Sequence, residues 1–195
     1  NLIVIMPNTD LGWYTNTTYG LHYFDAIATE LPQVMQRFFP NMTKKREKTF
    51  IAGLSMGGYG AFKIGLTTND YAYVGSFSGA IGLGLDSDEL TANVNANPAY
   101  WQGVFGPLTE ENLEQHLIPT LAQQHDGQSK FYSWCGKEDF LFASNQKAVK
   151  ALLEMGLDLD SQVGHGTHDW YYWEKQLQVF LKKLPIDYKE EERLS

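Results

Sequence analysis

The fold of this chain is decided by the stretch Thr49-Phe50-Ile51-Ala52-Gly53-Leu54-Ser55-Met56-Gly57-Gly58. Its apolar first half predicts a strand, and the residues that follow, to about Leu66, predict a helix. A turn this sharp around Ser55 leaves little room for side chains two positions to either side, where Gly53 and Gly57 stand. A plain glycine-rich turn is the alternative. The position between a strand and a helix favours a nucleophile elbow, which lifts the Ser55 hydroxyl clear of the sheet.

Strand-like and helix-like segments alternate along the rest of the sequence. The pattern predicts strands over residues 2–6, 49–52, 74–78, 130–135 and 157–163, and helices over about 22–39, 56–66, 143–155 and 169–184. Such alternation is typical of an α/β fold with a mostly parallel sheet and helices on both faces. The continuous apolar run at 2–6 predicts a strand that is buried on both faces. Pro32 predicts a kink or a restart in the first helix.

The length of 195 residues suits one domain with one core. Residues 82–127 interrupt the alternation, because Gly, Asn and Pro are scattered there among short helical pieces. No second core pattern recurs within this stretch. We therefore expect a small helical cap inserted into a single domain that spans residues 1–195.

The composition argues against several kinds of partner. The chain has 15 Lys and Arg against 23 Asp and Glu, a formal net charge of −8, so we expect it to bind neither nucleic acid nor a membrane surface. Cys135 is the single cysteine, which excludes an intrachain disulfide and a cysteine-based zinc cluster. The histidines between Gly164 and Asp169 have no second cluster of ligands with them, so we predict no metal site. No apolar run approaches the roughly 18 residues of a membrane-spanning helix.

A serine is a weak nucleophile unless a base activates it, and a carboxylate must orient that base. In a parallel sheet such partners come from loops at the carboxyl ends of later strands. Glu138 and Asp139 follow the fourth predicted strand, and His165 and His168 follow the fifth. A helix-capping role for the acid and a loop role for either histidine are the alternatives. Taken together, the order of these residues predicts a serine–acid–histidine triad. The order does not decide which of the two acids and which of the two histidines belong to it.

Four stretches together resemble the esterase D-like branch of the α/β-hydrolases, and within it the bacterial tributyrin esterases. They are Ile5-Met6-Pro7-Asn8, Gly53-Leu54-Ser55-Met56-Gly57-Gly58-Tyr59-Gly60-Ala61, Cys135-Gly136-Lys137-Glu138-Asp139, and His168-Asp169-Trp170 with Trp173. The resemblance covers nearly the whole chain and is specific in its combination of motifs. It implies the α/β-hydrolase fold.

The resemblance also implies a role for individual residues. The serine of the elbow is the family's nucleophile, which corresponds to Ser55. The aspartate that closes the Gly-x-x-Asp segment corresponds to Asp139, and the histidine directly before Asp-Trp corresponds to His168 rather than His165. One donor of the oxyanion hole corresponds to the backbone N–H of Met56.

The activity implied by the resemblance is that of a serine carboxylesterase that hydrolyses short-chain acyl esters through an acyl-enzyme, with no metal or organic cofactor. Trp13 and Tyr14 follow the first predicted strand, where an overhanging loop would shape an acyl pocket, although such aromatic residues more often only pack. An S-formylglutathione hydrolase and a carbohydrate acetyl or feruloyl esterase are alternatives with the same triad. An inactive binding module with this fold is the alternative from another class.

Members of the family have about 60 further residues at the N-terminus. That part carries the early strands and a His-Gly loop that supplies the second oxyanion donor. We expect this segment to precede Asn1 in the full protein, and its strand to lie between residues 2–6 and 49–52 in the sheet. We further expect a small-molecule ester as the partner and a cytoplasmic location, and we leave open a homo-oligomer.

Overall fold

A four-stranded parallel sheet forms the centre of the computed structural model, which describes residues 2–85 and 95–187. The strands lie in the order β1, β2, β3 and β4, with the bounds Phe50–Leu54, Tyr73–Phe77, Lys130–Gly136 and Leu159–Gly164. Every neighbouring pair of strands is parallel. The carboxyl ends of β1, β3 and β4 therefore meet at one edge of the sheet, and the loops that follow them converge there.

Helices fill the connections between the strands. They are α1 (Tyr23–Asp25), a π-helical turn (Ala26–Glu30), α2 (Leu31–Phe38), a 3₁₀ turn (Arg46–Lys48), α3 (Met56–Thr67), α4 (Pro98–Phe105), α5 (Glu110–Glu114), α6 (Ile118–Gln123), α7 (Phe142–Glu154) and α8 (Trp170–Lys183). In this described part of the chain, no helix has both the length and the apolar character that a bilayer crossing requires.

Apolar side chains cover both faces of the sheet, because successive residues of a strand point to opposite faces. Val74 and Phe131 belong to the buried cluster that α3 and α7 complete. The next residue of β3, Tyr132, belongs to a second cluster with Trp173 and Phe180 of α8. Helices therefore pack on both faces of a parallel sheet, which confirms the predicted α/β fold.

The helical segment before β1 changes from a π-helical turn to α2 at Leu31, one residue before Pro32, and stays helical through the position where a kink or a restart was predicted. A π-helical turn precedes α2, and Pro32 lies in the first turn of α2. The Leu31 N–H donates to the Ala26 carbonyl five residues back, so the helical backbone continues through this point, and Pro32 itself has no N–H to donate.

The predicted buried strand at residues 2–6 is wrong for the described structure. The segment has no regular secondary structure, and the exposed fraction of its side chains reaches 88% at Met6. A strand that is apolar on both faces needs neighbouring strands to pair with its backbone and helices to cover it. Among the described residues, β1 is an edge strand and no strand pairs with residues 2–6. The apolar run alone does not make a strand.

The predicted cap lies partly outside the described residues, since 86–94 are not among them. Its described part contains α4, α5 and α6. Trp101, Val104 and Ile118 from these helices are buried in the same cluster as α3, and the Tyr59 hydroxyl of α3 donates to the His116 carbonyl at 2.8 Å. The short helices thus share the core of the sheet. A single domain with an inserted cap stays a prediction, and its ends at residue 1 and residues 188–195 also lie outside the described part.

Leu152 and Leu153 are neighbours on α7 that test where the core lies. Leu152 is fully buried, whereas Leu153 is 48% exposed. We expect Leu152→Ala to lower the free energy of unfolding by about 2–5 kcal/mol, because it leaves a cavity in the core. The matched change Leu153→Ala should lower it by only about 0.5 kcal/mol. Urea denaturation measures both, and equal losses would contradict the described packing of α7.

Candidate active site

Ser55 lies between β1 and α3 in a backbone conformation that residues other than glycine rarely adopt, with φ 53° and ψ −121°. Hydrogen bonds hold this strained residue in place. Its N–H donates to the Phe77 carbonyl of β2 at 3.0 Å. Its carbonyl accepts from the N–H groups of Gly58 and Ala80, each at 3.0 Å. The turn predicted from the sequence is therefore fixed to both the sheet and the helix.

Steric contact excludes a side chain at Gly53. A Cβ there would lie 2.2 Å from the Gly57 carbonyl oxygen, a backbone atom inside α3 that cannot easily move aside. A Cβ on Gly57 itself would lie 3.4 Å from the Tyr14 hydroxyl, which is an ordinary contact distance. The expectation that side chains collide at both positions is therefore right for Gly53. At Gly57 the constraint is the close approach of the backbone.

The structure brings Ser55, His168 and Asp139 together. His168 Nε2 lies 2.9 Å from Ser55 Oγ, and His168 Nδ1 lies 2.9 Å from Asp139 Oδ2 and 3.1 Å from Oδ1. Both contacts are satisfied when the neutral imidazole carries its proton on Nδ1: the serine hydroxyl donates to Nε2, and Nδ1–H donates to the carboxylate. The three side chains come from the loops after β1, β3 and β4. This arrangement suits proton transfer from Ser55 to His168.

The Asp139 carboxylate is held in its charged form. Its side chain is fully buried, and burial alone would raise its pKa. Hydrogen bonds from His168 and from the Leu141 N–H, the latter at 2.9 Å, oppose that effect and lower the pKa of Asp139 overall. A carboxylate that stays charged can orient the imidazole and stabilise it when it becomes protonated.

A second histidine–carboxylate pair lies beside this triad. His165 Nδ1 is 3.0 Å from Glu138 Oε1, and the Gly166 N–H donates to Glu138 Oε2 at 2.7 Å. The His165 side chain is 89% exposed, and the hydrogen bonds of Ser55 Oγ go to His168 instead. Of the two acids and two histidines that residue order left open, the geometry therefore joins Asp139 and His168 to the serine.

Backbone hydrogen bonds join the two loops that carry the acid and the histidine. The Lys137 N–H donates to the Gly164 carbonyl at 2.9 Å, and the Glu138 N–H donates to the Gly166 carbonyl at 3.1 Å. With the Glu138 carboxylate on Gly166, these bonds hold the loop of Asp139 against the loop of His168. Hydrogen bonding to the Gly166 N–H, with a further contribution from His165, lowers the pKa of Glu138. Sequence reasoning missed this positioning role.

Two aromatic rings flank the imidazole of His168. The centroid of the Phe140 ring lies 4.6 Å from the imidazole centroid at an interplanar angle of 51°, and that of Trp173 lies 4.8 Å away at 87°. Trp173 is buried, whereas Phe140 is 49% exposed. Sequence reasoning did not single out Phe140. Its position directly after Asp139 was the one available signal.

Met56 is the first residue of α3. The first N–H groups of a helix have no acceptor within the helix, and the helix dipole adds partial positive charge there. The position of Met56 next to Ser55 therefore suits an oxyanion donor, and that role stays a prediction. Within residues 2–85 and 95–187, no group of three or more His, Cys, Asp or Glu side chains is arranged to hold a metal ion.

Trp13 and Tyr14, the predicted substrate-binding residues, lie in different surroundings. The Trp13 ring packs against the core and cap rings of Tyr59, Trp101 and Phe105. The Tyr14 ring packs over α3 and its hydroxyl reaches the first turn of that helix, at Gly57. Tyr14 therefore lies against the first turn of α3, the helix that follows Ser55. A substrate contact for either residue stays a prediction.

Comparison with known proteins shows the family to which this chain belongs. The family model "Esterase" matches residues 2–184 of this chain. An acetyl esterase of Caldicellulosiruptor saccharolyticus is 31% identical over 188 residues, which cover 91% of this chain and 69% of that protein.

Two solved structures are also similar to this chain. FphF, a fluorophosphonate-binding serine hydrolase of Staphylococcus aureus, has a TM-score of 0.79 and 30% identity, and the match covers 93% of this chain and 71% of that one. The S-formylglutathione hydrolase FrmB of the same organism has a TM-score of 0.63 and 32% identity, with 88% and 67% covered.

The substitution Asp139→Asn keeps the shape of the side chain and removes its charge. Because the pKa of Asp139 is lowered in the folded state, its contribution to stability is complete above the pKa of an unfolded aspartate, about 3.9. That contribution is lost as the pH falls through the folded value. We expect the free energy of unfolding of the variant to be lower than that of the wild type by about 1–3 kcal/mol at pH 7. This difference in stability should become smaller below pH 4. Urea denaturation at pH 7, 5 and 3 measures the difference in stability. A difference that is the same at all three pH values would contradict a contribution that depends on the charge of Asp139.

Proposed function

Because this chain belongs to the esterase family, we propose that it is a serine carboxylesterase that hydrolyses short-chain acyl esters through an acyl-enzyme. The observation that carries the proposal is the contact of 2.9 Å between Ser55 Oγ and His168 Nε2 at a strained turn, with Asp139 on the far side of the imidazole. Ser55 is the proposed nucleophile, His168 the base and Asp139 the orienting acid.

In the first half of the reaction Ser55 Oγ attacks the carbonyl carbon of the ester, and His168 Nε2 takes the serine proton. The carbonyl oxygen becomes negatively charged in the tetrahedral intermediate. The Met56 N–H, at the positive end of α3, stabilises that charge. His168 then donates its proton to the leaving alcohol, and the acyl group remains on Ser55.

The second half repeats these steps with water in place of the alcohol. His168 removes a proton from water, the hydroxide attacks the acyl-enzyme, and Ser55 leaves with the proton that His168 returns. Asp139 accepts the Nδ1–H bond throughout, so the imidazole keeps Nε2 directed at Ser55 in both halves. No step needs a group outside the triad, the oxyanion donors and water.

The proposed preference for short acyl chains rests on the resemblance of the sequence motifs and on the acetyl esterase relative. We assign to Tyr14 the role of bounding the acyl group, and the support for this is that its hydroxyl lies near Gly57 at the start of α3. A thioesterase acting on S-formylglutathione is the second candidate, because the similar FrmB structure bears that name. A carbohydrate acetyl or feruloyl esterase shares the same triad. Comparison of a thioester, an acetylated sugar and a simple aryl ester separates these substrates.

An inactive binding module is the candidate from another class. Such a module needs neither a strained serine nor a buried carboxylate, yet Ser55 keeps its φ of 53° and Asp139 its bond to His168. Backbone strain costs stability, and it persists where function requires it. These features favour the enzyme.

The test is hydrolysis of p-nitrophenyl esters with acyl chains of two to ten carbons. We expect activity that is highest on the shortest chains, and a loss of kcat by about 10⁵-fold or more in Ser55→Ala, because the nucleophile is removed. Ser161→Ala, on the edge strand β4, is the matched control and should keep wild-type activity. Wild-type activity in Ser55→Ala, or no hydrolysis of any ester by the wild type, would contradict the proposal.

A further inference from the structure

Phe140 is an exposed ring in an otherwise buried turn. The residues on either side, Asp139 and Leu141, are 5% and 4% exposed, whereas Phe140 is 49% exposed. The turn is fixed, because Asp139 Oδ1 accepts from the Leu141 N–H at 2.9 Å and the Asp139 carbonyl accepts from the Phe142 N–H at 2.9 Å. Phe140 is therefore held outward by the same bonds that place the Asp139 carboxylate.

The Phe140 ring lies on the solvent side of the His168 imidazole. Trp173 contacts the imidazole as well, but it is 6% exposed and belongs to the core cluster of α8. The His168 side chain keeps 18% exposure. A substrate that approaches Ser55 from solvent therefore meets Phe140 before it meets Trp173.

The chemistry of the proposed reaction fixes where the alcohol must lie. His168 Nε2 has to donate its proton to the leaving oxygen, so that oxygen comes within about 3 Å of Nε2. The Phe140 centroid is 4.6 Å from the imidazole centroid. Two rings interact when their centroids are about 4.5–7 Å apart in offset or edge-to-face geometry. A ring one carbon from the leaving oxygen lies two bonds from the atom that His168 protonates, beside the imidazole that Phe140 flanks.

The acyl chain, the oxyanion and the leaving oxygen are separate substituents of the carbonyl carbon in the tetrahedral intermediate. Of these, only the leaving oxygen must come to His168 Nε2 to receive a proton. The imidazole that Phe140 flanks is therefore approached by the alcohol side of the ester.

We propose that Phe140 contacts the leaving alcohol and gives this site a preference for esters whose alcohol carries a flat ring with an apolar face. The inference rests on the proposed function, because it assumes that His168 protonates the alcohol. Two kinds of alcohol share the required chemistry, an aromatic ring and the C–H face of a pyranose. A linear alkyl alcohol offers no such face.

The experiment compares kcat/KM for benzyl acetate, butyl acetate and methyl 6-O-acetylglucoside in the wild type and in Phe140→Ala. All three are acetates of primary alcohols, so the acyl group is constant. We expect Phe140→Ala to lower kcat/KM for benzyl acetate about three- to tenfold more than for butyl acetate. Phe140→Leu keeps apolar bulk without a ring face and should retain less than half of the preference. A selective loss on the glucoside as well extends the preference to sugars, and a loss confined to benzyl acetate limits it to aromatic alcohols.

Phe38→Ala is the control, because Phe38 on α2 is also exposed, at 72%; it should leave all three rates unchanged. An equal loss on benzyl and butyl acetate would overturn the inference, since Phe140 would then only position His168. Unchanged rates in Phe140→Ala would overturn it too. A wild type that hydrolyses none of the three acetates would instead contradict the proposed function, so the two failures are distinguishable.

Discussion

The close approach of Gly53 to the backbone of Gly57 is the constraint on which the rest of the site depends. It allows β1 to become α3 within one residue, and that residue, Ser55, takes a strained conformation as a result. The bond from the Ser55 N–H to Phe77 ties the turn to β2. Because the sheet is parallel, the loops of Asp139 and His168 reach the same edge. The parallel sheet thus brings Ser55, Asp139 and His168 to the same edge, and the strained turn orients the Ser55 side chain.

The loops after β3 and β4 act as one unit. The Glu138 carboxylate accepts from the Gly166 N–H, and the backbone N–H groups of Lys137 and Glu138 donate to the Gly164 and Gly166 carbonyls. These bonds fix the acid and the histidine relative to each other without involving the serine. Buried Trp173 supports the imidazole from within the core, and exposed Phe140 flanks it from outside. Rigid support of this kind keeps a catalytic geometry within the narrow limits that proton transfer requires.

Local patterns in the sequence were enough to predict the strands β1 to β4, the elbow and the loops that carry the site. The apolar run at residues 2–6 was predicted as a strand and is not one. A strand forms only where a neighbouring strand pairs with its backbone, and the hydrophobic pattern of a segment does not show whether such a neighbour exists. Residue order also did not decide between the two acids or between the two histidines. Family resemblance singled out Asp139 and His168, and in the structure His168 contacts Ser55 while Asp139 contacts His168. The hydrophobic pattern along the chain contained no sign of the position of Phe140. Its ring contacts His168, which lies on a different loop and is distant in the sequence.

Covalent labelling of Ser55 tests the central claim most directly, that the geometry makes this one serine a nucleophile. The protein is treated with an alkyl fluorophosphonate, and intact mass spectrometry with peptide mapping counts and locates the adducts. We expect one adduct, on Ser55, and labelling of His168→Ala that is slower by about a thousandfold, because the base is missing. An adduct on another residue, or labelling of His168→Ala at the wild-type rate, would contradict it.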